Sequence, residues 1–303
     1  MPALPMRTLG RSGIRTPALG LGGAHVGRGN ISDDEGIATI HRALELGLTF
    51  FDTSPLYGHS ERRYGMALGG VPRDSYYLET KIGTHPGRRF DYSADATRWS
   101  VDNSMSLLGV DYLDSVLIHD PKDIEDPLGE GRCLDVLCDL KDQGVIKNVG
   151  LGCRQHHFHL RAIETGRIDL VLTFLDYTLL KQTAAQDIMP AARANEVGMI
   201  LGSVLAFGTM AGPDPRTIER KHVDIPRAHA MWQWCERRGY SIRDLALQFA
   251  LAAPAESIVV VGAKTVDELD ADYTSATRDI PEPIWTEFCH EFDVPHPGDC
   301  HAV

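Results

Sequence analysis

Four polar side chains stand where apolar runs of the sequence end. Asp52 closes LTFFD (48–52), Lys81 closes SYYLETK (75–81), His119 lies one residue from the end of YLDSVLIHD (112–120), and Tyr57 follows Asp52 by five residues. Together these types can pass a proton to or from an oxygen. A free tyrosine titrates at about pH 10, too high for ready exchange at neutrality. A buried ammonium at Lys81 is expected to stabilise phenolate at Tyr57 and to lower that value. Asp52 is expected to keep Lys81 charged and oriented, because an unpaired buried ammonium is costly. His119 can hydrogen-bond a substrate oxygen and polarise a carbonyl. The set includes no obvious nucleophile and no ordered metal-ligand group, and hydride transfer to or from a nicotinamide is the reaction that most naturally needs it. Singly, each residue has a plainer role: an Asp after a strand often caps the next helix, and a lone Lys or His at a strand end is often structural. Their coincidence on successive strand ends favours chemistry.

Eight short apolar runs have buried-strand character, from ALGLG (18–22) to SIVVVGA (257–263), each bounded by Gly, Asp or Pro. Helical patterns such as 33–47 and 94–109 separate them, and Gly47 is placed to end the first. Crossovers of this length join parallel strands. Eight such strands predict an α/β fold, a closed (β/α)8 TIM barrel, whose reacting groups sit where strands end on the C-terminal face. No GxGxxG opens a βαβ unit, which argues against the open dinucleotide-binding sheet. The Gly-rich 7–16 segment reads as a hairpin closing the barrel bottom, and 207–228 as an irregular loop inserted above the site. The absence of a low-complexity linker predicts one domain over 1–303.

The chain carries 30 Lys plus Arg against 42 Asp plus Glu, a net charge of −12. That balance excludes a general nucleic-acid binder, which needs a basic face. No window approaches the roughly 18 apolar residues of a membrane span, and the N-terminus lacks an apolar signal core. Six cysteines without a CxxC pair read as reduced thiols, so a cytoplasmic location is expected.

FDTSPLYGHSE (51–61), LETKIG (78–83) and VLIHDP (116–121), with LGRSGIRTPALGLGG (9–23) and IVVVGAKTVDELDADY (258–273), resemble the aldo-keto reductase superfamily over nearly the whole chain. The resemblance implies a (β/α)8 barrel, an NAD(P)-dependent oxidoreductase, Tyr57 as proton donor or acceptor, and Asp52, Lys81 and His119 as supporting members of a tetrad. HDP (119–121) and YTLL (177–180) are similar to the bacterial aldose dehydrogenase branch that includes L-fucose and D-threo-aldose dehydrogenases. The substrate implied is a small carbonyl compound, such as an aldose, and its alcohol or lactone partner.

The cofactor half departs from the family pattern. Where relatives hold the nicotinamide carboxamide with Ser-Asn or Asn-Gln, this chain has Cys153, Arg154 and Gln155. Phe174 replaces a Gln, and the stacking aromatic falls near Gly202, with Ser203 retained beside it. Gly22, Cys153, Arg154, Gln155, Phe174, Ser203, Gly262, Lys264, Glu268 and Asp272 are the candidate cofactor contacts. The N-terminus of a helix near Val266 suits a phosphate. The acids Asp267, Glu268 and Asp272 disfavour an adenosine 2′-phosphate and can instead accept from a ribose hydroxyl, so NAD is favoured over NADP. His59, His119 and Arg154 are the candidate substrate-pocket residues. RQHHFHL (154–160) has the spacing of a metal cluster, but nothing forces its ligands to converge and no metal is expected. The tail brings Cys300 and His301 as possible substrate contacts. Two other readings stay open: a lyase or epimerase on the same barrel, and a non-catalytic regulatory subunit. Substrate identity, reaction direction and oligomeric state are not legible here.

Overall fold

In the computed structural model, residues 4–218, 223–254 and 256–297 are described. An antiparallel hairpin comes first: β1 (Met6–Thr8) pairs with β2 (Arg15–Pro17), Arg7 opposite Thr16. Eight parallel strands follow: β3 (Leu19–Gly22), β4 (Phe50–Asp52), β5 (Tyr77–Ile82), β6 (Leu113–His119), β7 (Ile146–Gly152), β8 (Leu170–Phe174), β9 (Gly198–Gly202) and β10 (Ser257–Val261). They close into a barrel in chain order, β10 pairing with both β9 and β3. The helices are α1 (Gly23–Val26), α2 (Asp33–Glu45), α3 (Ser60–Leu68), α4 (Ala94–Leu108), α5 (Glu125–Leu128), α6 (Cys133–Asp142), α7 (His156–Glu164), α8 (Ile188–Ala194), α9 (Ile225–Glu236), α10 (Ile242–Leu251), α11 (Val266–Ala276) and α12 (Glu282–Phe292). This is the architecture expected from the eight apolar runs.

Local chemistry sets the boundaries. Ser32 caps α2 reciprocally with Glu35, and Gly47 at φ +78° turns the chain after its end. Ser93 caps α4, and Gly109 ends it in the left-handed conformation. Within the segment expected as an irregular loop over 207–228, a short 3-10 turn covers Pro215–Thr217 and a helix begins after Asp224. There the aspartate caps α9, with Pro226 in its first turn, so the last residues of that expectation are helical. Residues 219–222 within it lie outside the described set. With α10 following, two helices account for the long interval before β10.

Alternation along the strands divides the core. Outward residues such as Leu78, Ile82, Val116 and Ile118 pack under the helices. Inward residues Phe50, Leu117, Leu170, Leu172, Ile200, Ile258 and Val260 fill the barrel, where Leu9 and Ile14 join them. The hairpin therefore plugs the bottom, as its position predicted. Gly10 (φ +50°) makes this possible: a Cβ there would sit 2.2 Å from the carbonyl oxygen of Glu196. Arg11 locks the plug by donating to the carbonyl oxygens of Ile168 at 2.6 Å and Gly166 at 3.0 Å. Truncating the plug in Ile14→Ala should leave a cavity at the barrel bottom and cost about 2–5 kcal/mol, read as a lower denaturant midpoint with unchanged slope.

Candidate active site

The C-terminal ends of β4, β5 and β6 bring the predicted tetrad together. Lys81 and Asp52 both point into the barrel mouth, and the Lys81 ammonium, fully buried, donates to the Asp52 carboxylate and to the carbonyl oxygen of Thr53 at 2.9 Å. The same ammonium lies 4.9 Å from the centroid of the Tyr57 ring. The His119 ring meets Tyr57 edge-on, with centroids 5.9 Å apart and planes at 90°. Gly27 allows the Tyr57 turn to come this close to α1, since a Cβ on it would lie 1.8 Å from the Tyr57 carbonyl oxygen.

His119 is held by groups that the sequence reading did not single out. Its Nδ1 is 2.7 Å from Thr84 Oγ1 and 3.3 Å from Ser54 Oγ, and Tyr92 donates to its carbonyl oxygen at 2.7 Å. Nε2 lies 3.6 Å from Asp120, a residue at φ +41°. Burial, then the positive charge of Lys81, hold His119 well below its ordinary pKa, so the ring is neutral. Burial alone would lower the pKa of Lys81, but the charges of Asp52, Tyr57 and Glu79 outweigh it and raise the value.

Tyr57 departs from the expected acidity. Its pKa is pushed up to about 12, because burial outweighs the opposing charge of Lys81, and Asp52 and Asp120 push the same way as burial. Lys81 acts in the expected direction, yet the net shift is upward. The phenol is therefore protonated at neutral pH.

Flanking the tetrad strands, β3 and β7 end in Gly22 and Gly152, and across the barrel β9 ends in Gly202. A Cβ on Gly152 would stand 3.7 Å from Lys81 Cε, and one on Gly202 would stand 3.3 Å from Phe174 Cβ. Without a side chain, Gly152 leaves space beside Lys81, which is compatible with a nicotinamide ring. Phe174, at the end of β8, is partly buried against the barrel interior. The turn after β9 has positive φ at Ser203, Ala206 and Phe207. Gly262 lies against His25: a Cβ on it would meet the ring Nδ1 at 1.9 Å.

The other candidate contacts have partners within the protein. Cys153 is buried with its sulfur 3.6 Å from His159 Nε2, and burial pushes its thiol up to about 12. Arg154 pairs with Asp176 at 3.3 Å, and the Gln155 side chain accepts from the Arg154 amide at 3.2 Å. With His156 and Lys181 they line an open pocket of about 320 Å³. His156 is bound to Asp187 at 2.8 Å, and His159 to the Cys153 carbonyl oxygen at 3.0 Å. At α11, Thr265 caps the helix, while Glu268 accepts from the Lys264 amide at 2.8 Å and lies 3.8 Å from its ammonium. Asp272 is buried and paired with Arg243 at 3.4 Å, and burial raises its pKa to about 7. His59 is exposed at the start of α3. Cys300 and His301 lie outside the described residues.

The model of the Aldo/keto reductase family matches residues 18–283. The chain belongs to the aldo/keto reductase family. Among its relatives, D-threo-aldose 1-dehydrogenase of a Pseudomonas species is 29% identical over 94% of this chain and 97% of the relative. L-galactose dehydrogenase of Arabidopsis thaliana is 31% identical over 92% and 90%. A solved aldo-keto reductase structure from Pseudomonas aeruginosa superposes with a TM-score of 0.67 at 26% identity, covering 90% of this chain and 94% of that one. This aldo/keto reductase is thus an oxidoreductase of the NAD(P)-dependent carbonyl–alcohol class. Among the described residues no helix is long and apolar enough to cross a membrane.

Because Gly27 sets the approach of Tyr57, Gly27→Ala should displace the phenol by about an ångström and lower kcat on the order of a hundredfold. Circular dichroism should show the barrel intact.

Proposed function

We propose that this reductase interconverts a small aldose, or another hydroxylated aldehyde or ketone, with its reduced or oxidised partner, and that Tyr57 exchanges the proton. One observation carries the reading: a buried ammonium tied to a carboxylate beneath the Tyr57 ring, with a neutral imidazole edge-on beside it. Bound NAD(P) supplies the hydride-carrying carbon of the reaction. Tyr57, protonated at neutral pH, donates its proton to the oxygen of a carbonyl as that oxygen gains charge. His119 Nε2–H donates a hydrogen bond to the same oxygen and orients it. Lys81 stabilises the phenolate left behind, and Asp52 with the Thr53 carbonyl oxygen keeps the ammonium in place. In the reverse direction phenolate at Tyr57 takes the alcohol proton.

Hydrogen-bonding groups near the mouth, His119, Asp120 and Arg154, suit a hydroxylated substrate, and the two aldose-type relatives support that class. The dinucleotide reads as NAD. Glu268 already fills the Lys264 amide at the start of α11 and sets a negative charge where an adenosine 2′-phosphate would need a cation. Gly22, Gly202, Ser203, Phe174 and Gly262 would border the dinucleotide, with Cys153, Arg154 and Gln155 at the carboxamide end. Free thiols at Cys133, Cys138, Cys153 and Cys235 fit a cytoplasmic enzyme.

Tyr57→Phe should cut turnover by about 10²–10⁴-fold with either dinucleotide while NADH affinity, read by fluorescence titration, holds. Retained turnover would remove Tyr57 from the reaction. In the wild type, kcat/KM for alcohol oxidation should climb about tenfold per pH unit below the titration of Tyr57, whereas carbonyl reduction stays flat near neutrality. Glu268→Arg should shift the NADP-over-NAD ratio of kcat/KM upward by about tenfold, roughly 1.4 kcal/mol.

A further inference from the structure

One buried acid has no part in the proton exchange described so far. Glu79 lies two residues before Lys81 on β5, so both side chains enter the barrel interior. It is in register with Asp52 on β4, and the Thr53 amide donates to its carbonyl oxygen at 2.8 Å. Its carboxyl is fully buried, and no N–H or O–H of another described residue reaches either oxygen. A carboxylate in such a place would be a buried charge with no hydrogen bond donated to it, beside a second carboxylate. As an acid, Glu79 can donate a hydrogen bond to Asp52.

We propose that Glu79 is a positioning residue for the proton exchange at Tyr57: as an un-ionised carboxylic acid it donates to Asp52 and so fixes the carboxylate that holds Lys81. The groups around it agree. From β4 comes Asp52, from its own strand Lys81, and from β6 the uncharged Ser115 in register. Burial first, then the charge of Asp52, hold the Glu79 carboxyl well above the ordinary carboxylate range, against the pull of Lys81. The charge of Asp52 also makes Tyr57 harder to ionise. A proton donated to Asp52 disperses that charge, which favours phenolate. An ionised Glu79 would add a second negative charge and oppose it.

The inference rests on the Tyr57 reading for its catalytic consequence, but not for its protonation state. The infrared difference spectrum of wild type minus Glu79→Gln at neutral pH should show the carbonyl stretch of a buried un-ionised acid. Absence of that band would overturn the proposal whatever Tyr57 does. Glu79→Met removes the donor at similar volume. It should move the titration of Tyr57 seen in the pH profile of alcohol oxidation upward by about one pH unit, with about a tenfold loss of kcat at neutrality and little change in KM. Glu79→Gln keeps a donor toward Asp52 and should restore the wild-type titration. A folded Met variant with the wild-type profile, or a Gln variant displaced as far as Met, would make Glu79 a filler of the barrel and sink the idea. If Glu79→Met does not fold, the infrared spectrum and the Gln profile still decide. A Tyr57→Phe enzyme that keeps its turnover would instead fault the role of Tyr57, and would leave the infrared result standing.

Discussion

The ammonium of Lys81 is buried at the top of a barrel filled below mainly by apolar side chains, with the Glu79 carboxyl among them. Taking such a charge out of water costs several kcal/mol unless a partner and hydrogen bonds replace the lost hydration. Here the Asp52 carboxylate and the Thr53 carbonyl oxygen replace it, both from the end of the neighbouring strand. The pair needs two parallel strands in fixed register, and the register needs a closed barrel. Hairpin plug, apolar layers and helical shell all serve to hold β4 and β5 side by side with their inward residues at one height.

From that pair the acidity of the site follows. Lys81 draws Tyr57 toward phenolate, while the desolvation that makes the ammonium effective also penalises phenolate, and Asp52 and Asp120 add to the penalty. Burial wins, so the resting phenol keeps its proton. The same burial keeps His119 neutral, with its Nδ1 held by Thr84 and Ser54. A protonated phenol thus stands edge-on to a neutral imidazole. The balance between these charges, rather than the presence of any single one, sets how the phenol behaves.

Much of this was legible from the chain. The alternation of apolar runs and amphipathic stretches specified eight strands, and the positions of Asp52, Lys81 and His119 at run ends marked the mouth. Other features were not legible for physical reasons. Thr84 and Ser54 are small hydroxyl residues of a kind found everywhere, and only the fold aims both at one ring nitrogen. Glu79 carried a signal, since it is two residues from Lys81 and therefore on the same strand face, but its meaning depends on Asp52 standing opposite. Asp272, read as a cofactor contact, is buried against Arg243, a partner 29 positions away in the chain. A net direction for the acidity of Tyr57 could not come from residue types, because burial has no letter in the sequence.

Sequence alone determined the strands, their count and the candidate polar groups at their ends, because side-chain periodicity and residue chemistry are local properties. The tertiary structure decided which groups share a dielectric and which carry compensating charge. Those depend on distances of a few ångströms between strands far apart in the chain, where Coulomb energies and desolvation nearly cancel and only closure of the barrel settles the sign.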